Sequence, residues 1–176
     1  RLTAMTGRLQ ATLEAVDIVQ PALDKFYNSL SDEQKERFNQ LGPQQQQQQQ
    51  QQQNGQETTA ALPQDNKNCQ QAKPGLANLP MDKIDEVVKP TDAQQADFKG
   101  LQDATGKAVS ILQAACPDET PLTPPGRLDA MKARLQAMID AANTVKQPLD
   151  RFYASLSNEQ KARFDRIGRV LAEANN

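Results

Sequence analysis

Apolar residues recur every three or four positions through the first part of the chain, at Leu2, Met5, Leu9, Leu13, Val16, Val19 or Gln20, Leu23 and Phe26. That spacing marks one stripe of an amphipathic helix. The stripe returns far downstream as Leu128, Met131, Leu135, Ile139, Ala142, Val145, Leu149 and Phe152. A proline interrupts each run, at Pro21 and at Pro148. Proline inside a helix removes one backbone hydrogen bond and crowds the preceding turn, so both long helices are predicted to kink.

The two stripes belong to a duplication. Shifting the chain by 126 residues lays 1–42 over 127–168 without a gap, and 23 of 42 positions are identical. The decapeptide Ser29–Phe38, SLSDEQKERF, returns as SLSNEQKARF over Ser155–Phe164. Each copy starts a second helix in the same way. Ser31 with Gln34, and Ser157 with Gln160, have the spacing of a capping box, in which the serine side chain and the glutamine side chain satisfy each other's backbone N–H. Asp32 and Glu33 place negative charge in the first turn, where the helix dipole favours it. Leu30 and Leu156 precede the caps as hydrophobic staples, and Gly42 and Gly168 are expected to terminate the helices. The polar residues of the repeated motif are therefore read as structural.

A third, degenerate copy is predicted between them. In KPTDAQQADFKGL (89–101), Thr91 falls on Ser31, Gln94 on Gln34 and Phe98 on Phe38, with Pro90 in the leucine position. A short apolar arm, Met81 to Val88, precedes it, and a helix through Leu101, Ala104, Ala108, Leu112 and Ala115 should follow, ending before Pro117. Pro43–Asn68 contains ten consecutive glutamines, Gln44–Gln53, a composition that cannot bury a core and predicts a disordered linker. PDETPLTPPG (117–126) is a stiffer connection, with helix expected only from Arg127. The expected organisation is a first helical module at 1–42, the Gln-rich linker at 43–68, a middle helical segment at 69–120 and a second module at 121–176. The fold class is all-α, built of tandem kinked helical hairpins.

Composition narrows the core. Only 37% of residues are apolar and mean hydropathy is −0.75, so the core is thin for 176 residues. The seven aromatics, five Phe and two Tyr, all lie in or beside copies of the motif, which places the ordered core there. Net charge is −2, spread as −1 over 1–42, −4 over 43–126 and +3 over 127–168. Such a balance does not favour nucleic acid, which calls for a strongly basic face. No stretch approaches the roughly 18 apolar residues of a membrane span. The chain opens at Arg1, already inside a helical pattern, and is read as a trimmed or mature fragment from which any targeting segment has been removed. Cys69 and Cys116 enclose 46 residues, and sequence physics leaves free thiols and a bridge equally open.

Catalytic chemistry has little to draw on. The chain contains no histidine, the commonest general base and metal ligand. No phosphate loop, CxxC pair or Ser/His/Asp set occurs. An enzymatic role, a cofactor and a metal site are therefore not expected. What remains is surface: Arg8, Lys132, Arg134, Lys146 and Arg151 form a mildly basic set beside apolar residues. The candidate partner contacts are Arg8, Phe26, Tyr27, Arg134, Arg151, Phe152 and Tyr153.

With LSDEQ (30–34) and LSNEQ (156–160) in view, the chain resembles the LTxxQ-motif family, the Spy/CpxP group of bacterial periplasmic stress proteins. The run PLTPPGRLDAM to FDRIG (121–168) is most similar to alphaproteobacterial members. The resemblance covers both modules and, more weakly, the segment between the cysteines. It implies an all-helical fold of kinked antiparallel hairpins that often form a cradle-shaped dimer, a pairing that two modules in one chain would reproduce internally. It implies an ATP-independent chaperone for unfolded client proteins, or a regulator of envelope-stress signalling; the alternative is a structural or signalling module with one dedicated protein partner. The motif positions carried over are Leu30, Ser31, Gln34, Leu156, Ser157 and Gln160, with Thr91 and Gln94 keeping the polar pair of the middle copy. Serine stands where the family name has threonine, and both cap helices. The periplasmic location that the resemblance implies makes a Cys69–Cys116 disulfide the expected state.

Overall fold

Capping chemistry sets where the helices start. The computed structural model describes residues 2–40, 81–117 and 121–173, with side chains as far as Ile167. Among the described residues the chain is all-α. Helix α1 (Leu2–Ser29) contains Pro21 and is followed after a two-residue turn by α2 (Asp32–Gln40). Helix α3 (Met81–Val88) leads through a 3₁₀ turn (Asp92–Gln94) into α4 (Gln95–Ala114). Helix α5 (Pro124–Ser155) contains Pro148, and α6 (Asn158–Glu173) follows another two-residue turn. The glutamine tract and Gly42 lie outside the described residues, as does the disorder expected of that linker.

Both predicted capping boxes form. At α2 the Ser31 N–H donates to Gln34 Oε1 at 2.9 Å, and the Gln34 N–H donates to Ser31 Oγ at 3.4 Å. At α6 the corresponding bonds, Ser157 to Gln160 and back, are 2.9 and 3.2 Å. The turns match as well, with the Leu30 N–H on the Tyr27 carbonyl and the Leu156 N–H on the Tyr153 carbonyl, each at 3.3 Å.

Two expected boundaries are corrected. Helix α5 starts at Pro124, before Arg127. Its two prolines occupy the first helical positions, where the missing N–H would have no intrahelical acceptor in any case. Thr123 caps this end: its Oγ1 accepts from the Gly126 N–H at 3.2 Å, and its carbonyl accepts from the Arg127 N–H at 2.9 Å. Gly126 fits closely here: a Cβ would lie 3.0 Å from Thr123 Oγ1 and 3.2 Å from Pro121 Cβ, so those side chains would have to give way slightly. The second correction is Gly168, which does not end α6; the helix runs on to Glu173. A helix-interior glycine costs about 1 kcal/mol relative to alanine, and the strong helix formers Arg169, Leu171, Ala172 and Glu173 follow it.

The middle copy turns differently because Pro90 has no N–H. Lys89 takes up the reversal instead, in the left-handed region at φ 51°, while its own N–H still closes on the Asp85 carbonyl at 2.9 Å. A non-glycine residue there is strained by roughly 1–2 kcal/mol. Lys89→Gly should therefore stabilise the protein by up to about 1 kcal/mol, since glycine also brings unfolded-state entropy. A lowered urea midpoint in that variant would contradict this account of the turn.

The helices group into two compact units, each drawing on separate parts of the chain. Among the described residues, the first contains α1, α2 and the N-terminal part of α5 up to Ala137. Its apolar burial is sparse: Val16, Leu135 and Ala137. Arg127 fastens the cap of α5, donating to the carbonyls of Pro121, Leu122 and Asn39 at 3.2, 2.8 and 3.1 Å. Lys132 pairs with Asp17, and the Gln20 amide donates to Asp129. Solvent screening leaves such exposed pairs worth about 1 kcal/mol or less.

The second unit contains α3, the part of α4 up to Leu112, α5 from Met138 and α6. It holds most of the buried apolar surface, including Ile84, Val88, Phe98, Leu101, Ala108, Ile139, Ala142, Val145, Phe152 and Leu156. Here α3 packs against α6.

Candidate functional site

A helix leaves its last carbonyls without intrahelical donors. In the second unit, two such ends, that of α3 and that of α5, are closed by the motif glutamines of each other's copies. Gln160 Nε2 donates to the Lys89 carbonyl at 3.2 Å and lies 3.4 Å from that of Val88. Gln94 Nε2 donates to the Ser155 carbonyl at 2.7 Å. Lys89 and Ser155 occupy the same position of the repeat, so the two contacts are equivalent. The two amides also face each other, each Nε2 donating to the other's Oε1 at 3.0 Å.

Each glutamine thus does two things. Its Oε1 accepts the N–H of its own cap residue, Thr91 or Ser157, at 2.9 Å. Its Nε2 crosses to the other copy. Both side chains are only 8% exposed, and no buried side-chain polar atom among the described residues lacks a partner. A buried amide with every hydrogen-bonding position filled is stabilising, whereas the same amide left unpaired would be costly. The turns border an open cleft lined by Val88, Lys89, Thr91, Gln94, Ser155, Leu156, Ser157, Gln160 and Arg163. Arg163 reaches the Val87 carbonyl at 3.5 Å across it.

Beneath the amides lies an aromatic cluster. Phe152 sits between Phe98 and Phe164, with ring centroids 5.3 and 6.1 Å away. Phe98 and Phe164 are again equivalent positions of the repeat. Phe152 is fully buried, which corrects its assignment as a partner contact: its ring is core. Tyr153 packs on Phe164 and donates its hydroxyl to Asp165 at 3.2 Å. Desolvation first, then that hydrogen bond and the Asp165 charge, push the Tyr153 phenol above its ordinary pKa.

The first copy repeats the parts, without a partner among the described residues. Phe26 and Phe38 meet edge to face at 5.6 Å, and Tyr27 packs on Phe38 with its hydroxyl on Asn39 Oδ1 at 3.0 Å. Phe26, equivalent to Phe152, is 51% exposed. Gln34 caps α2 but is exposed, and its Nε2 meets no acceptor among the described residues. Arg8 and Arg151 are exposed, while Arg134 is partly buried, and that burial pulls its guanidinium below the usual arginine range. The mildly basic set is partly neutralised, because Lys132 pairs with Asp17 and Lys146 with Asp150. Cys116 lies half-buried after α4, its N–H on the Gln113 carbonyl at 3.1 Å. The Cys69 end of the expected bridge lies outside the described residues.

The Gln94–Gln160 pair is the feature that the sequence pattern did not predict. The signal was present in the repeated spacing, because a capping-box glutamine uses only Oε1 and leaves an N–H₂ group to be satisfied. Among the described residues no group of three or more potential metal ligands occurs, and no helix is long and apolar enough to cross a membrane.

A family model described as LTXXQ motif family protein matches residues 1–42 and 76–168. The two matched stretches contain all three copies of the motif. No curated protein and no solved structure matches the chain.

Proposed function

The chain belongs to the LTXXQ motif family, and on that premise we propose that it is a periplasmic, ATP-independent chaperone or envelope-stress adaptor of the Spy/CpxP type. It binds unfolded clients or a partner protein on helical surface and performs no catalysis. The observation that carries this reading is the apolar face left open on α1. Ile18, Val19 and Phe26 are 78%, 55% and 51% exposed, on a helix whose duplicate buries the equivalents of the last two completely. Contiguous exposed apolar area is the kind of surface that proteins use to bind other proteins.

The test is light scattering of a chemically unfolded client diluted into buffer without nucleotide. Equimolar protein should slow aggregation of several unrelated clients, and Phe26→Ala should weaken that protection. No effect on any client, combined with recovery of one stoichiometric partner from envelope extract, would replace the chaperone reading with that of a dedicated adaptor.

Export carries a second expectation. In an oxidising compartment Cys69 and Cys116 pair, and closing the loop between them stabilises the protein by about 3–4 kcal/mol on the chain-entropy model. Intact mass should rise by two hydrogens on reduction, with no thiol open to alkylation beforehand. Two alkylatable thiols in protein purified from the periplasm would refute the bridge.

A further inference from the structure

The second copy shows what its sequence is built to hold. It receives α3, the Thr91-x-x-Gln94 turn and Phe98, and three of its residues close on them: Phe152, Leu156 and Gln160, exposed by 0%, 4% and 8%. The first copy has the same residue at every one of these positions, Phe26, Leu30 and Gln34, and it also keeps the flanking Ser29, Ser31 and Arg37. Duplicates diverge fastest where a side chain has no work, and 19 of 42 positions here have changed. Yet the contact set is intact on a copy where nothing among the described residues fills it. Among the described residues, Phe26 has its Phe38 neighbour but no third ring, Val19 is open where its equivalent Val145 is fully buried, and the Gln34 amide N–H₂ meets no carbonyl.

We infer that the first copy is a socket for a helical segment of the α3–α4 type, a short apolar arm followed by a Thr/Ser-x-x-Gln turn and an aromatic residue, supplied by a partner protein other than a second copy of this chain. The occupant is fixed by chemistry on both sides. The exposed Gln34 Nε2 is free to exchange water for the carbonyl at a helix C-terminus, as Gln160 takes that of Lys89. The carbonyl of the exposed Ser29 can accept an amide donor, as that of Ser155 takes Gln94. Phe26 needs an aromatic ring where Phe98 lies against Phe152. An unfolded chain offers none of these at fixed spacing, whereas a second Gln-capped turn offers all three. The inference rests on the face of α1 being a binding surface, and it does not require chaperone activity.

A labelled peptide of residues 81–114 is the probe, added to the full-length protein and followed by fluorescence anisotropy. The protein's own α3–α4 segment is tethered to the second copy, which gives it an effective concentration near millimolar and keeps that site closed to the peptide. The peptide should saturate the wild-type chain at micromolar concentrations. Phe26→Ala and Gln34→Ala should each weaken it by about tenfold or more, as loss of a central aromatic or amide anchor does. A peptide carrying Gln94→Ala should bind as weakly as the Gln34→Ala protein binds the parent peptide. Circular dichroism of the variants confirms that the half-exposed sites tolerate the changes. Absence of binding up to high micromolar peptide would overturn the inference, as would binding indifferent to both protein variants. A homodimer that Phe26→Ala dissociates, with no peptide bound, would also overturn it and make a second copy of this chain the occupant. Failure here leaves the client assay untouched, and failure of the client assay leaves the socket standing.

Discussion

Phe152→Ala should lower the stability of the second unit by about 3–5 kcal/mol, the usual cost of deleting a fully buried phenylalanine. The ring is 0% exposed and bridges Phe98 and Phe164, so its loss opens a cavity among three helices and removes two aromatic contacts. Phe26→Ala, the same substitution at the equivalent position of the repeat, should cost about 1 kcal/mol, because half of that ring already faces water. Urea denaturation of the two variants reads the difference directly. Equal costs would mean that the two copies are packed alike, against the structure.

Gln160→Ala is the second large effect. The substitution removes the glutamine arm of the α6 capping box, the donor to the Lys89 carbonyl and one side of the amide pair. It also leaves the Gln94 amide buried with half of its bonds unmade. Net hydrogen bonds of about 1 kcal/mol each, together with the penalty for an unpaired buried group, give an expected loss of roughly 2–4 kcal/mol. Gln34→Ala loses only an exposed capping arm and should cost about 0.5–1 kcal/mol. A motif used merely for capping would show the same loss at both positions, so the asymmetry separates capping from pairing. Ser31→Ala and Ser157→Ala, which remove only caps, would not make that distinction.

These contrasts show where sequence reasoning reached and where it stopped. The capped turns were legible, because Ser31-x-x-Gln34 and Ser157-x-x-Gln160 satisfy backbone donors three residues away, and such chemistry is local. The extent of α3, from Met81 to Val88, was legible from the apolar arm that ends before Pro90. The start of α5 at Pro124 is hidden from a reading of proline as a helix breaker, because at the first helical position proline loses nothing. Gly168 is the converse case: a good terminator does not end α6 when helix formers follow it. Phe26 and Phe152 could not be separated by any local argument. They sit in nearly identical sequence, and only the packing of a segment some 54 residues upstream of Phe152, around Phe98, decides that one is core and the other surface. The Gln94–Gln160 pair, 66 residues apart, is tertiary in the same sense.

The motif's role follows from this geometry. It caps a helix with one atom of a glutamine and ties a neighbouring helix end with another, so a single residue sets both the turn and the pairing of two turns. The duplicated decapeptide is therefore an architectural element in the second copy, where its glutamine is used up in pairing, and in the first copy the same residues stay open beside the exposed face of α1.

A double-mutant cycle on Gln94 and Gln160 tests that claim most directly. Each single alanine variant loses its own capping-box arm, and the cycle subtracts those losses, leaving the energy that passes between the two amides. Residues in one hydrogen-bond network couple by about 0.5–3 kcal/mol, and the facing amides, with each Nε2 3.0 Å from the other's Oε1, place the expected value at about 1–2 kcal/mol. A coupling of zero, with the single losses simply adding, would contradict the pairing of the two turns.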